Sequence, residues 1–324
     1  MQLLIDHVVQ YAITHEASDI HFIPNSSQVD VKLRIKDYLK PYDTLNLETY
    51  QKMLTLLKFK AGLDVSSRHK AQSGRYIYEY ETLYYLRVST LPLNLGNESC
   101  VIRITPQLFH TDINQTAYDI QKTMEKKQGL ILFSGPTGAG KSTLMYQMVV
   151  YAKEKLNLNI ITIEDPVEQL LNGVTQISVN EKADITYGNS LKAILRCDPD
   201  VILIGEIRDG LIAKDVIQAS LSGHLVLSTI HANDCKGVLL RLIEMGITKQ
   251  DLLQALNLIV NQRLITTNDN SRKLVYELMS QDDIRYFLDH NFVLPKHFES
   301  LNDKLTELKK KGEIDDVTLR KYQK

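Results

Sequence analysis

Cysteine is scarce in this 324-residue chain: Cys100, Cys197 and Cys235 are scattered and odd in number. None has the paired spacing of a zinc or redox site, so the expectation is a reducing compartment and no zinc. An excess of either charge is lacking too. Lys+Arg total 38 against Asp+Glu 39, which leaves no global field to favour nucleic acid as the main partner. No apolar run approaches the roughly 20 residues that span a bilayer. Residues 1–7 have neither the basic region nor the unbroken apolar core of a signal peptide. Internal repeats and low-complexity tracts are missing as well. These absences predict a cytoplasmic protein that can still dock at a membrane, long enough for two domains of ordinary size.

The most informative stretch that is present runs Gly135-Pro136-Thr137-Gly138-Ala139-Gly140-Lys141-Ser142, a complete G-x-x-x-x-G-K-S phosphate loop. The apolar run Leu130–Phe133 leads into it, and Thr143-Leu144-Met145 continues as a helix, so the order is strand, glycine-rich loop, helix. Glycines let backbone N–H groups approach and cradle phosphate oxygens at a helix N-terminus. Lys141 can reach the same oxygens and the Ser142 hydroxyl can bind Mg²⁺, which predicts a site for ATP or GTP.

Two carboxylate stretches follow. Ile161-Thr162-Ile163-Glu164-Asp165-Pro166-Val167-Glu168 reads as a strand halted at a proline. Asp198–Asp209 resembles a Walker B strand in which Gly205 stands at the usual aspartate and Glu206 is the acid nearest the strand end. In a parallel sheet both ends lie on the edge where the phosphate loop sits. One acid there can hold Mg²⁺, directly or through water, and the other can position the attacking water. Either acid alone reads as a solvated loop residue. His231 follows the apolar strand His224–Ser228 on the same edge, where an imidazole can sense a γ-phosphate. His224 opens that strand instead of ending it, and a single histidine is often only a satisfied structural hydrogen bond.

Along the chain, the first hundred residues mix elements as a small α+β domain does. Leu3, Leu4, Val8, Val9, Ala12 and Ile13 share a helical face, Leu47–Lys60 is again helical, and residues 30–36, 75–80, 84–89 and 100–104 read as strands. Residues 107–119 read as a linker between a domain over 1–106 and one over 120–324. Beyond it, strands at 130–133, 159–163, 201–204 and 224–228 alternate with helices, which predicts a parallel α/β sheet covered on both faces. The C-terminal third reads as helical. Its stripe Phe298, Leu301, Leu305, Leu308 suits core packing better than a partner surface.

These blocks in this order resemble the secretion ATPase superfamily, which powers type II secretion, type IV pili and competence pili. The family's Walker A, Asp box, Walker B and His box match Gly135–Ser142, Glu164–Glu168, Gly205–Asp209 and Gly223–Asp234. Ala17-Ser18-Asp19-Ile20-His21 is similar to its opening motif, Gln72-Ser73-Gly74-Arg75 to its glycine–arginine turn, and Asn261-Gln262-Arg263-Leu264 to a C-terminal motif. Arg87-Val88-Ser89-Thr90-Leu91-Pro92, with Arg103 beyond it, resembles the segment whose arginines close onto ATP phosphates. The resemblance covers about Ala17 to Leu264.

It implies a RecA-like P-loop ATPase domain with a helical C-terminal region, after the small α+β domain. By the same resemblance residues 135–143 bind ATP and Mg²⁺, with Ser142 and, through water, Glu206 on the metal. Glu164 becomes the general base or the acid that positions the attacking water, His231 a reporter of the γ-phosphate, and Arg87 and Arg103 cationic clamps. Without the resemblance each arginine reads as a surface ion pair. The family further implies a homo-hexamer, peripheral at the cytoplasmic face of the membrane, acting on an inner-membrane pilus platform protein and not on nucleic acid directly. Many members carry a zinc-binding cysteine tetrad after the His box and long N-terminal docking domains. A chain of this length with so few cysteines is most similar to the branch that assembles competence pili for DNA uptake. Retraction and type II secretion ATPases are the alternatives, and a nucleotide-gated regulatory module is the rival from another class.

Overall fold

A computed structural model describes residues 1–36, 38–93, 96–106, 118–180 and 183–323. The chain divides into two compact units, Met1–Phe109 and His110–Lys324. Most of the expected linker, residues 107–117, lies outside the described residues, while its last two positions already belong to a short helix, α3 (Tyr118–Thr123).

In the first unit, α1 (Gln2–Thr14) precedes a hairpin-linked run of β1 (Ala17–Pro24), β2 (Gln28–Ile35) and β3 (Tyr38–Asn46). Then come α2 (Leu47–Lys60), β4 (Gln72–Tyr80), β5 (Thr82–Pro92) and β6 (Glu98–Pro106). The six strands form one sheet ordered β3-β2-β1-β6-β5-β4, with antiparallel neighbours throughout. Strand periodicity sends Ile20, Phe22, Val31, Leu33, Leu86, Val88 and Ile102 to one face, where Ile5, Val8, Val9, Met53 and Leu57 of the two helices close the core. Asn46 caps α2 by accepting the Thr49 N–H at 2.8 Å.

Among the described residues of this unit, one ion pair is buried. Lys58 Nζ donates to both Glu98 oxygens at 2.6 and 2.7 Å and to the Ser67 carbonyl at 2.8 Å, with the two side chains 2% and 4% exposed. It ties α2 to the loop before β4 and to the start of β6. The opposite face of the sheet carries a row of directly paired residues, Arg75–Arg87–Arg103–Asp19–Arg34, one from each of β4, β5, β6, β1 and β2.

The second unit holds a seven-stranded sheet ordered β13-β12-β7-β11-β10-β8-β9. Its strands are β7 (Gly129–Ser134), β8 (Ile160–Glu164), β9 (Thr175–Ser178), β10 (Val201–Ile204), β11 (Leu225–Ile230), β12 (Leu256–Thr266) and β13 (Arg272–Ser280). All neighbours are parallel except β12 and β13. Successive residues of β7 point to opposite cores: Leu130 and Leu132 join Ile202 and Ile204 on one side, Ile131 and Phe133 join Val201 and Leu203 on the other. This is why these strands read as unbroken apolar runs. The connecting helices are α4 (Lys141–Leu156), α5 (Tyr187–Ile194), α6 (Gly210–Leu221), α7 (Cys235–Glu244) and α8 (Lys249–Ala255). After β13 come α9 (Gln281–Asp289), α10 (Leu301–Lys310) and α11 (Asp316–Tyr322).

The expectation of a wholly helical C-terminal third is corrected here, since residues 256–280 form the long antiparallel pair β12–β13. Helices resume only at Gln281. Leu301, Leu305 and Leu308 of α10 are buried against Ile265 of β12 and Val275 of β13, together with Ile314 and Leu319, so the stripe is core.

Candidate active site

The register fixes which residues meet. Ile204 pairs with Ile163 and with Ser228, and Ser228 pairs with Leu132, so β7, β8, β10 and β11 end side by side. The phosphate loop, the Glu164 stretch, the Glu206 turn and the His231 segment therefore leave from one edge of one sheet.

The loop itself is exposed over Pro136, Thr137 and Gly138, while Ala139 is buried beneath it. Gly138 and Gly140 have φ of +79° and +82°, a region that favours glycine. At Gly135 a side chain is also excluded by space, because a Cβ there would stand 2.5 Å from the Gln262 carbonyl oxygen. Lys141, the first residue of α4, folds back so that Nζ donates to the Gly135 and Pro136 carbonyls at 2.8 and 3.0 Å. Burial lowers its proton affinity, partly offset by the Glu206 charge. Ser142 and Thr143 occupy the same first helical turn, half-buried.

Glu164 is the last residue of β8 and only 6% exposed. Its Oε1 accepts from Thr162 Oγ1 at 2.7 Å and Gln176 Nε2 at 3.5 Å, and its Oε2 from the Tyr146 hydroxyl. Burial pushes the carboxyl above the usual carboxylate range, while these three donors pull it back. The next peptide, Asp165–Pro166, is cis.

Glu206 sits in a chain of ion pairs. Arg208 contacts both Glu206 and Asp165, the latter at 3.0 Å, and His231 Nε2 lies 3.6 Å from Glu206 Oε2. The structure thus joins members of the Asp box, Walker B and His box in one network. His224 is separate: it precedes β11 at the opposite strand end and its Nδ1 lies 3.3 Å from the Ala219 carbonyl, a structural contact.

Arg87 and Arg103 belong to the first unit, directly paired across β5 and β6. Arg87 Nε donates to Ser73 Oγ at 3.0 Å, and Arg103 Nε to Asp19 Oδ1 at 3.0 Å. Asp19 lies in the Ala17–His21 motif and Ser73 in the Gln72–Arg75 motif, which here opens strand β4, so each motif supplies a partner to one of these arginines.

Several residues around the site carried no role in the sequence. Gln262 Nε2 donates to the Ala139 carbonyl at 2.7 Å. Arg263 donates to the Asn233 carbonyl at 2.9 Å and to Asn261 Oδ1 at 3.1 Å, and Asn261 Nδ2 to the Ala232 carbonyl at 3.3 Å. The Asn261–Arg263 stretch therefore braces the phosphate loop and the segment after His231 from the neighbouring strand. Glu277, 2% exposed on β13, accepts the Cys235 N–H at 2.6 Å and the Leu301 N–H at 2.8 Å, the first residues of α7 and α10. Three polar residues in a row inside an apolar strand were the available signal for the brace. The Tyr187 hydroxyl is buried without a hydrogen-bond partner among the described residues, facing the backbone at Gly205, and burial pushes it up to about 12.

A family model described as type II/IV secretion system protein matches residues 1–300. The chain belongs to that family. Two of its relatives are described as competence protein ComGA. The one from Halalkalibacterium halodurans is 43% identical over 263 residues, covering 79% of this chain and 75% of that protein. The one from Bacillus subtilis is 38% identical over 266 residues, covering 80% and 74%. Among solved structures, the pilus retraction motor PilT with bound ADP aligns at TM-score 0.74 and 27% identity over 98% of this chain and 96% of that one. As a member of the type II/IV secretion family the chain is an ATP-hydrolysing enzyme of mixed α/β fold. Among the described residues, no helix of this family member is long and apolar enough to cross a membrane.

Proposed function

We propose that this chain is the ATPase that powers assembly of a competence pilus for DNA uptake, working as a homo-hexamer at the cytoplasmic face of the membrane on an inner-membrane platform protein. The pilus reading is supported by the two ComGA relatives, similar over most of both chains. Turnover, as opposed to nucleotide sensing alone, is supported by one geometric observation. A phosphate loop shares its sheet edge with the buried acid Glu164 and the Glu206–Arg208–Asp165 network. A sensor needs no such set. The second reading, retraction, is favoured by the likeness to PilT. We divide the chain into an α+β domain over 1–106, a linker over 107–119 and an ATPase domain over 120–324.

In this reading residues 135–143 hold the phosphates at the start of α4, through the backbone N–H groups of all but Pro136. Lys141 leaves the Gly135 and Pro136 carbonyls to meet them. Glu164 takes the proton of the attacking water, and Arg87 and Arg103 bring positive charge from the first unit. His231, paired with Glu206, reports whether a γ-phosphate is present. The hydroxyl of Ser142 and the carboxylate of Glu206 are hard oxygen donors of the kind Mg²⁺ takes, Glu206 acting through water. Mg²⁺ supplies charge neutralisation on the transferring phosphoryl group.

The test is Lys141→Ala. Phosphate release in the purified mutant is expected to fall to background while the protein keeps its native oligomeric mass. Wild-type turnover in that mutant rules the assignment out.

A further inference from the structure

Tyr146 lies on α4, five residues after Lys141, and is 2% exposed. A hydroxyl this deep costs stability unless bonded, and phenylalanine would fill the same volume. The hydroxyl is bonded on both sides. It donates to Glu164 Oε2 and accepts the Glu168 N–H at 3.2 Å. One oxygen thereby joins the helix leaving the phosphate loop, the acid at the end of β8 and the turn that follows it.

We propose that Tyr146 is a positioning residue that fixes the Glu164 carboxylate and links it to the phosphate-loop helix, an inference that rests on Glu164 acting on the attacking water. The other two donors, Thr162 and Gln176, both hold Oε1 from the strand side. Tyr146 holds Oε2 from the α4 side. A small displacement of the first turns of α4, when phosphate enters the loop, is carried to the acid by this bond. The same bond favours the ionised carboxylate, because a phenol donates to a charged acceptor more strongly than to a neutral one.

The charged and titratable groups around Glu164 fix the sign of the test. Glu168 comes from the following turn, and the Tyr187 phenol of α5 faces Glu164 while itself meeting Asp165, Glu206 and Arg208. Glu168 disfavours the Glu164 charge, as burial does, and Tyr146 opposes both. Without the hydroxyl, Glu164 holds its proton to higher pH. A base works only when ionised, so activity is lost at a higher pH on acidification.

The experiment is the pH profile of steady-state ATP hydrolysis by Tyr146→Phe in the full chain, with Mg²⁺. The acid limb of kcat is expected to move upward by about one pH unit, a roughly tenfold change in proton affinity for one charged hydrogen bond. The plateau above the limb should fall by less than about threefold, since only positioning is lost. An unmoved limb, or an equal fall at every pH, overturns the proposal. Glu164→Gln measured beside it separates the two levels. If that variant turns over normally, Glu164 is not the base and the proposal falls with it; if it is inactive, the limb alone decides about Tyr146.

Discussion

Glu164→Gln is expected to slow phosphate release by about 10²–10⁴-fold, the range a positioned general base contributes, while ATP still binds. The change keeps size and leaves one oxygen for the donors Thr162 and Gln176, while the amide nitrogen takes the place of the oxygen that faces Tyr146. What is lost is the ability to take a proton. Nucleotide affinity and turnover measured on the same preparation separate the two effects, and turnover above about a tenth of wild type removes Glu164 from the mechanism. In the source bacterium the same substitution also decides direction. Cells without surface filaments by electron microscopy would mean that hydrolysis drives assembly. Abundant or overlong filaments would mean that the motor retracts.

Lys58→Ala is expected to cost the first unit about 3–5 kcal/mol, the penalty for stranding one member of a buried pair. Glu98 would be left without its partner in a site 4% exposed, and the Ser67 carbonyl would lose its donor as well. A typical domain is stable by about 5–15 kcal/mol, so this one change should remove a large share of the unit's stability. Urea unfolding gives the number, and a loss under about 1 kcal/mol would contradict the account. Lys58→Met combined with Glu98→Gln should recover much of the loss, because no lone charge remains buried.

Much of the ATPase sheet was legible because its signals are local. An apolar run followed by Gly135-Pro136, and another halted by Asp165-Pro166, mark strand ends that carry chemistry. The strand pair β12–β13 was not legible. Leu256–Val260 is buried on both faces, which hides any alternation, and Asn261, Gln262 and Arg263 interrupt the run with polar residues that are themselves buried. Their bonds to Ala139, Ala232 and Asn233 span 123, 29 and 30 positions, and no window of sequence contains such partners. Strand β3 failed for the opposite reason. It is an edge strand, exposed along most of its length and containing Pro41, so its pattern is neither apolar nor alternating.

The candidate acids and His231 followed from strand ends, but the partners that hold them did not. Tyr146 is 18 positions from Glu164, and Asp19 is 84 from Arg103. A tyrosine one turn into a helix looks like packing until the fold sets an acid beside it.

The arginine row on the first sheet has a consequence for ionic strength. Arg75, Arg87 and Arg103 stand directly opposite one another on neighbouring strands, with Asp19 alone between Arg103 and Arg34. Like charges facing across strands repel, so this face opposes the folding that its other face drives. Mobile anions shorten that repulsion to a Debye length of about 8 Å at physiological salt. Where surface ion pairs ordinarily make proteins less stable in salt, this unit should gain stability as salt rises, which unfolding at graded sodium chloride would record.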